Sequence, residues 1–243
     1  AYRLAGLEDK AVQVLEVLAH NAVIERRFND AGFYFWKLAD YRLKALRAAV
    51  SEDGVIVANQ DEEVQAYEQL KSRAELYSAY HAISRYIEEP FTSHSTDNLL
   101  SICNFLLNAI PGSVPYGVSK FNILFATAKL GRQLGAFKLA RNAIEKMRGL
   151  RIPPAFREHV NVQAVAIRCK AFEDSEDLQP VCYRCSTPNA LWGGALACSN
   201  CLHPFVFSKY SFDVLPLVEF FPDVDISDSE ALQLIEDDSM LGG

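Results

Sequence analysis

The chain has 243 residues, half of them hydrophobic, with 23% charged and 11% aromatic side chains. That composition excludes a disordered chain and provides ample apolar mass for a core. A net charge of -7 argues against a general nucleic-acid binder, because neutralising a phosphate backbone takes clustered Lys and Arg.

The chain starts at Ala1 in what already reads as ordered sequence, which predicts a fragment of something longer. The longest uncharged run, 98–119, holds two prolines together with Asn, Ser and Gly. It is no membrane span, and the expectation is a soluble protein. No glycosylation sequon and no charged leader with an apolar block occur, so a reduced, cytosolic-type compartment is expected.

From Gly6 to His20 the apolar positions Leu7, Ala11, Val14, Leu15 and Leu18 fall on one helical face. A second helix is predicted within Arg27–Val50, with Ala31, Tyr34, Phe35, Leu38 and Ala39 inward. Leu18, Ala19, Ala22, Ala31, Phe35 and Leu38 stand at the spacing of a tetratricopeptide-type hairpin, small residues where the helices cross and large ones between them. Ser51–Asn59 is a break in which Val55-Ile-Val57 could be extended. Asp61–Glu88 reads as one long helix with apolar residues on two sides, as expected inside a stack. Asp97–Ile110 is a short amphipathic helix, followed by a Pro-Gly loop at 111–117.

Ser119–Gly135 and Ala136–Gly149 give the clearest hairpin, with Gly135 at the turn, Gly149 suited to a cap, and Pro153-Pro154 as a stop. A further helix over 155–169 has Phe156, Val160, Val162, Val165 and Ile167 as apolar positions. The acidic stretch Glu173–Asp177 then leads into Cys182-Tyr-Arg-Cys185 and, twelve residues later, Cys198-Ser-Asn-Cys201. Two such pairs supply four thiolates, a complete tetrahedral set for one structural Zn²⁺. Pro204–Phe207 is predicted as a strand completing a small ribbon. The apolar segment Phe212–Phe221 is expected to dock the ribbon onto the helices. Ser227-Asp-Ser-Glu230 reads as a capping box before a C-terminal helix at Ala231–Ile235.

Several dispersed stretches carry a resemblance: Ser119-Lys-Phe-Asn-Ile-Leu-Phe125, Gly135-Ala-Phe-Lys-Leu-Ala-Arg141, Arg148-Gly-Leu-Arg-Ile-Pro153, Val181-Cys-Tyr-Arg-Cys-Ser-Thr187 and Ser211-Phe-Asp-Val-Leu-Pro-Leu-Val-Glu-Phe220. They resemble the C-terminal end of the intraflagellar transport protein 122 family, through most of 97–235. The resemblance implies a non-catalytic WD-repeat subunit of intraflagellar transport complex A. Such a subunit serves retrograde ciliary transport and ciliary entry of membrane cargo, with propellers preceding a helical-repeat tail that ends in a zinc module. It implies a location at the cilium or flagellum and the ciliary base, on the cytoplasmic side, among other subunits of the complex and cargo adaptors. It also carries the zinc ligands over to Cys182, Cys185, Cys198 and Cys201. An adaptor of a related WD-repeat trafficking subunit is the alternative.

Other readings of the cysteines remain open. A four-thiolate iron centre is chemically possible, but no redox-partner feature accompanies it. A RING-type site would need a second ligand set. A thiol oxidoreductase would use one pair alone. A nucleic-acid zinc ribbon needs basic residues on the ribbon, whereas 173–243 is acidic. His203 could replace a cysteine or lie at the surface, and Cys169, between Arg168 and Lys170, is read as a free thiol. No phosphate-binding, dinucleotide, zincin or nucleophile-elbow motif occurs, and no enzymatic activity is expected.

From Ser119 to Arg157 nine basic residues face Glu145 alone, a net charge of +8. Lys129, Arg132, Lys138, Arg141 and Arg148 are the candidate partner-binding residues, for an acidic protein segment or an anionic membrane surface. The bland alternative is a solvated face, partly paired with the acidic tail at 223–238.

The expected architecture is mainly α: a tetratricopeptide-like array of helical hairpins over 1–170, an acidic linker over 171–178, and over 179–243 a zinc ribbon with short β-strands, docking segment and C-terminal helix.

Overall fold

The structure is a computed structural model that describes residues 8–49, 60–89, 94–110, 112, 114–193, 196–215 and 227. Seven helices are present among them: α1 (Glu8–Ile24), α2 (Phe28–Ala49), α3 (Gln60–Glu88), α4 (Thr96–Ala109), α5 (Lys120–Leu134), α6 (Phe137–Arg148) and α7 (Arg157–Arg168). Each packs on the next in chain order. The tetratricopeptide spacing predicted for the first hairpin is what brings α1 and α2 together. Ala19, Ala22 and Ala31 are buried where the helices cross, and Leu38 is buried beyond them. Phe35 stacks on Tyr77 of α3 at 5.6 Å, and Phe28 meets Tyr80 edge-on at 4.8 Å.

The long helix α3 is covered on two sides in its C-terminal half, where Leu76, Tyr77, Tyr80, Ile83 and Tyr86 are buried. Two of its tyrosines also pin the loop that follows α4. The Tyr77 hydroxyl donates to the Tyr116 carbonyl, 3.1 Å, and the Ser119 N–H donates to the Tyr80 hydroxyl, 3.0 Å. Helix α4 is the centre of the molecule. Leu99, Leu100, Ile102, Cys103, Phe105, Leu106 and Leu107 are all buried, because α3, α5 and the C-terminal module surround it. Burial pushes the Cys103 thiol up to about 12, so it is an inert core group.

The α5–α6 hairpin turns on Gly135 at φ 90°, a conformation that an L side chain resists. The two helices also approach closely at Gly131, where a Cβ would lie 2.9 Å from the Ala136 carbonyl oxygen.

Two expectations about apolar faces are corrected. Val14 of α1 is 42% exposed, and Val162 and Val165 of α7 are 59% and 63% exposed. Helix α7 buries Val160, Ala164 and Ile167 instead, spaced four and three apart, because its neighbours cover a single stripe.

The strand expected at Pro204–Phe207 is also absent. Among the described residues the C-terminal module has isolated bridges only: Val181 with Pro188, Ala197 with Pro204, and Phe207 with Val214. Pro188 and Pro204 have no N–H to donate, so a ladder cannot grow through them. The possible extended piece at 55–57, the docking residues Leu217–Phe221, the acidic tail and the C-terminal helix all lie outside the described residues.

Candidate metal centre

The four cysteines come from two turns of identical construction. In the first, the Cys182 N–H donates to the Thr187 carbonyl, the Ser186 N–H to the Cys182 carbonyl, and the Asn189 N–H to the Pro180 carbonyl. In the second, the same three bonds run from Cys198 to His203, from Leu202 to Cys198, and from Phe205 to Leu196. The residue after the second cysteine takes a left-handed conformation in each, Ser186 at φ 56° and Leu202 at φ 59°. Each turn thereby points both sulfurs of its pair inward.

The sulfurs of Cys182 and Cys201 are 3.6 Å apart, those of Cys185 and Cys198 are 3.5 Å apart, and all four lie within 4.8 Å of one another. A tetrahedral ion with metal–sulfur bonds of about 2.3 Å requires sulfur–sulfur edges of about 3.8 Å. The four thiols therefore fit a thiophilic tetrahedral cation with every position filled by protein. Cys182 and Cys198 are buried, the other two half-buried.

The electrostatics point the same way. Hydrogen bonding with the Thr187 hydroxyl, and then with its N–H, pulls the Cys185 thiol down to about 6. The Cys201 N–H, with the Asn200 N–H behind it, draws Cys198 down against its burial. For Cys201 the His203 N–H favours the thiolate, but burial and the three neighbouring sulfurs outweigh it and push the thiol up to about 12. The fourth negative charge is resisted until a cation enters among the sulfurs.

His203 is outside this ligand set. Its ring meets Tyr183 edge-on at 4.9 Å, with Nε2 hydrogen-bonded to the Tyr183 hydroxyl. Cys169 is exposed and remote from the cluster.

Two features escaped the sequence reading. Asn189 is a buried strut between the two turns. Its Nδ2 donates to the Thr187 carbonyl, 2.8 Å, and approaches the Cys198 sulfur at 3.7 Å, while its Oδ1 accepts from the Ser199 N–H, 2.8 Å, and hydroxyl, 3.0 Å. The signal was an amide four residues past a Cys-x-x-Cys, which without coordinates reads as a loop residue.

The second feature is a third turn of the same construction, built on Ser208-Lys-Tyr-Ser211. The Ser208 N–H donates to the Asp213 carbonyl, the Phe212 N–H to the Ser208 carbonyl, and the Leu215 N–H to the Val206 carbonyl. Phe212 is left-handed at φ 58°. The Ser208 hydroxyl accepts from the N–H groups of Tyr210 and Ser211, both 3.3 Å, much as the Cys198 sulfur accepts from the Asn200 N–H, 3.4 Å. Hydroxyls close this turn where a metal would close the other two. Its left-handed residue is also buried, against Phe105 of α4 at 4.8 Å, with Phe207 alongside at 5.5 Å. The third turn docks the ribbon.

The basic candidates separate. Arg141 is engaged by its own chain: its guanidinium donates to the carbonyls of Ile167 (2.9 Å), Lys170 and Ala171 at the end of α7, and lies 4.5 Å from the Phe172 ring. Lys129 sits 4.6 Å over the Tyr86 ring, and Nε of Arg132 is buried without a hydrogen bond. Lys138 and Arg148 are exposed. The acidic linker is held at the α5–α6 turn, where Asp174 Oδ1 accepts from the Leu139 N–H, 2.9 Å, and Asp174 forms a bridge with Ala136. No helix among the described residues is long and apolar enough to cross a membrane.

Two family models match the chain: the TPR domain of IFT122 over residues 1–122 and the zinc ribbon domain of IFT122 over residues 175–218. Similar proteins include the intraflagellar transport protein 122 homologs of Homo sapiens, Xenopus tropicalis and Danio rerio, 45%, 46% and 42% identical over 237 residues. The alignments take in 97% of this chain but only 18–19% of the relatives' own length, in their C-terminal part.

Proposed function

The chain belongs to the intraflagellar transport protein 122 family, and from that premise we propose that it is a non-catalytic assembly module of intraflagellar transport complex A. It holds one structural Zn²⁺ through Cys182, Cys185, Cys198 and Cys201. The observation that carries this reading is the closed centre: four protein sulfurs leave no coordination position for water or substrate. Zinc in such a site contributes apparent folding free energy on the order of 10–16 kcal/mol, more than so small a ribbon gains from its own core. The helical stack offers the long lateral surfaces on which repeat proteins hold partners. On this reading the chain works among the other subunits of the complex, at the cilium and its base on the cytoplasmic side, in retrograde transport and the ciliary entry of membrane cargo.

The test is Cys198→Ser in the full-length protein. The substitution is expected to abolish stoichiometric zinc and to reduce co-purification of the other complex subunits. A variant that melts and assembles like its parent contradicts the role.

A second surface is the exposed part of the basic hairpin, which would meet an acidic segment of a cargo adaptor or an anionic membrane. Lys138→Glu with Arg148→Glu is expected to weaken partner or liposome binding at low salt, and unchanged binding would leave a solvated face. Arg141 is unsuitable for this purpose, because its reversal would also release the end of α7.

A further inference from the structure

Between α4 and the ribbon lies a groove of about 950 Å³. Its walls are apolar, with Leu100 and Phe105 of α4 facing Leu191, Phe205 and Val214 of the ribbon. Asn104 and Asn108 of α4 also line it. Their Oδ1 atoms lie beneath that surface, shielded from solvent and without a hydrogen-bond donor. The two residues stand four apart and so share one face of α4. The orientation of Asn108 is set by donation from its Nδ2 to the Leu191 carbonyl, 3.2 Å, which leaves its oxygen as the acceptor.

The charge around the groove is one-sided. Asp97, Asp177 and Asp213 line it, and among the described lining residues there is no Lys, Arg or His. We propose that this groove is a docking site for a short segment of another protein, one that carries large apolar side chains flanked by Lys or Arg. The apolar side chains fill the space beside Phe105 and Phe205, and the flanking cations meet the three carboxylates. The chain's own segment 216–222, Pro-Leu-Val-Glu-Phe-Phe-Pro, is apolar, but it carries Glu219 and runs into Asp223 and Asp225. The acidic lining disfavours that segment and favours a basic partner. The proposal stands independently of the ciliary reading and of the basic hairpin.

Fluorescence anisotropy with the full-length, zinc-loaded protein tests it, using the labelled peptides KRLFLRK and EDLFLDE. The basic peptide should bind saturably, weaken as salt is added, and lose about tenfold or more in affinity with Asp177→Lys/Asp213→Lys. The zinc content of each variant confirms its fold. Asp177→Asn/Asp213→Asn, a milder change, should give a smaller loss in the same direction. Failure of KRLFLRK to saturate the unaltered protein overturns the proposal. So does equal binding of the two peptides, or an affinity indifferent to both variants. Binding that appears only after deletion of 216–243 would assign the groove to the chain's own segment and overturn it likewise.

Discussion

Asn189 links the two cysteine turns through one buried amide, using both its oxygen and its nitrogen. Its oxygen satisfies the N–H and hydroxyl of Ser199 while its nitrogen holds the Thr187 carbonyl. Groups that orient metal ligands in this way matter nearly as much as the ligands, so Asn189→Leu should weaken zinc affinity by about 10–100-fold, read by competition with a chromophoric chelator. An unchanged affinity would reduce Asn189 to a packing residue. Protonation gives a second reading of the site. Without metal, Cys201 lies at about 12 and Cys185 at about 6, so at neutral pH zinc must displace a proton from the Cys201 end of the cluster. Affinity should therefore rise with pH through the neutral range, and calorimetry in buffers of different ionisation enthalpy should register proton release on binding. The clustering of the four cysteines was legible in the sequence because their chemistry is local, a thiol pair within one turn. Asn189 was not, because its meaning depends on a partner turn ten residues away.

At the level of elements, α6 is notable for holding the chain that follows α7. Its N-terminus has no cap of its own, since Ala136 offers no side-chain acceptor. Asp174, from the acidic linker, accepts from the Leu139 N–H in its place and sets a negative charge at the positive end of the helix. Arg141, further along α6, donates to the Ile167 carbonyl near the end of α7 and to those of Lys170 and Ala171 just beyond it. The stretch read from sequence as a linker is thus fastened at both ends of one helical turn. Asp174→Ala should cost about 1 kcal/mol, visible as a lower midpoint in urea, whereas Asp174→Asn keeps an acceptor and should cost less. Equal midpoints for the two variants and the parent would remove the cap. The helices themselves were legible from periodicity and from Gly and Pro stops. The stripe on α7 was misread because valines were counted as inward by hydrophobicity alone, and the small Ala164, where α7 is buried, carries little hydrophobic signal. The ribbon strand failed for a related reason: Pro204 marks the end of a turn rather than the start of a ladder.

Over the described residues, the helices form a sequential stack in which α4 packs against α3, α5 and the ribbon. Three turns of one design make up that ribbon, two closed by cysteines and one by Ser208. The metal-closed turns present Ser186 and Leu202 outward, while the serine-closed turn drives Phe212 into the helical core. The third turn was not legible in the sequence because serine pairs are common and carry no metal signature. It links the cysteine cluster to the helical stack through Phe212 and Phe105. The charge is partitioned as well, with exposed lysines and arginines on the α5–α6 hairpin and carboxylates around the groove beside α4. A total of -7 hides both.

The central claim is that the metal maintains the end of a helical assembly module. Hydrogen–deuterium exchange of the full-length protein, before and after zinc is stripped by a chelator, tests it most directly. The account predicts faster exchange through 181–215 and along α4, whose Phe105 loses its ribbon partners, with α1 and α2 unaffected. Unchanged protection of α4 after complete removal of zinc would contradict it.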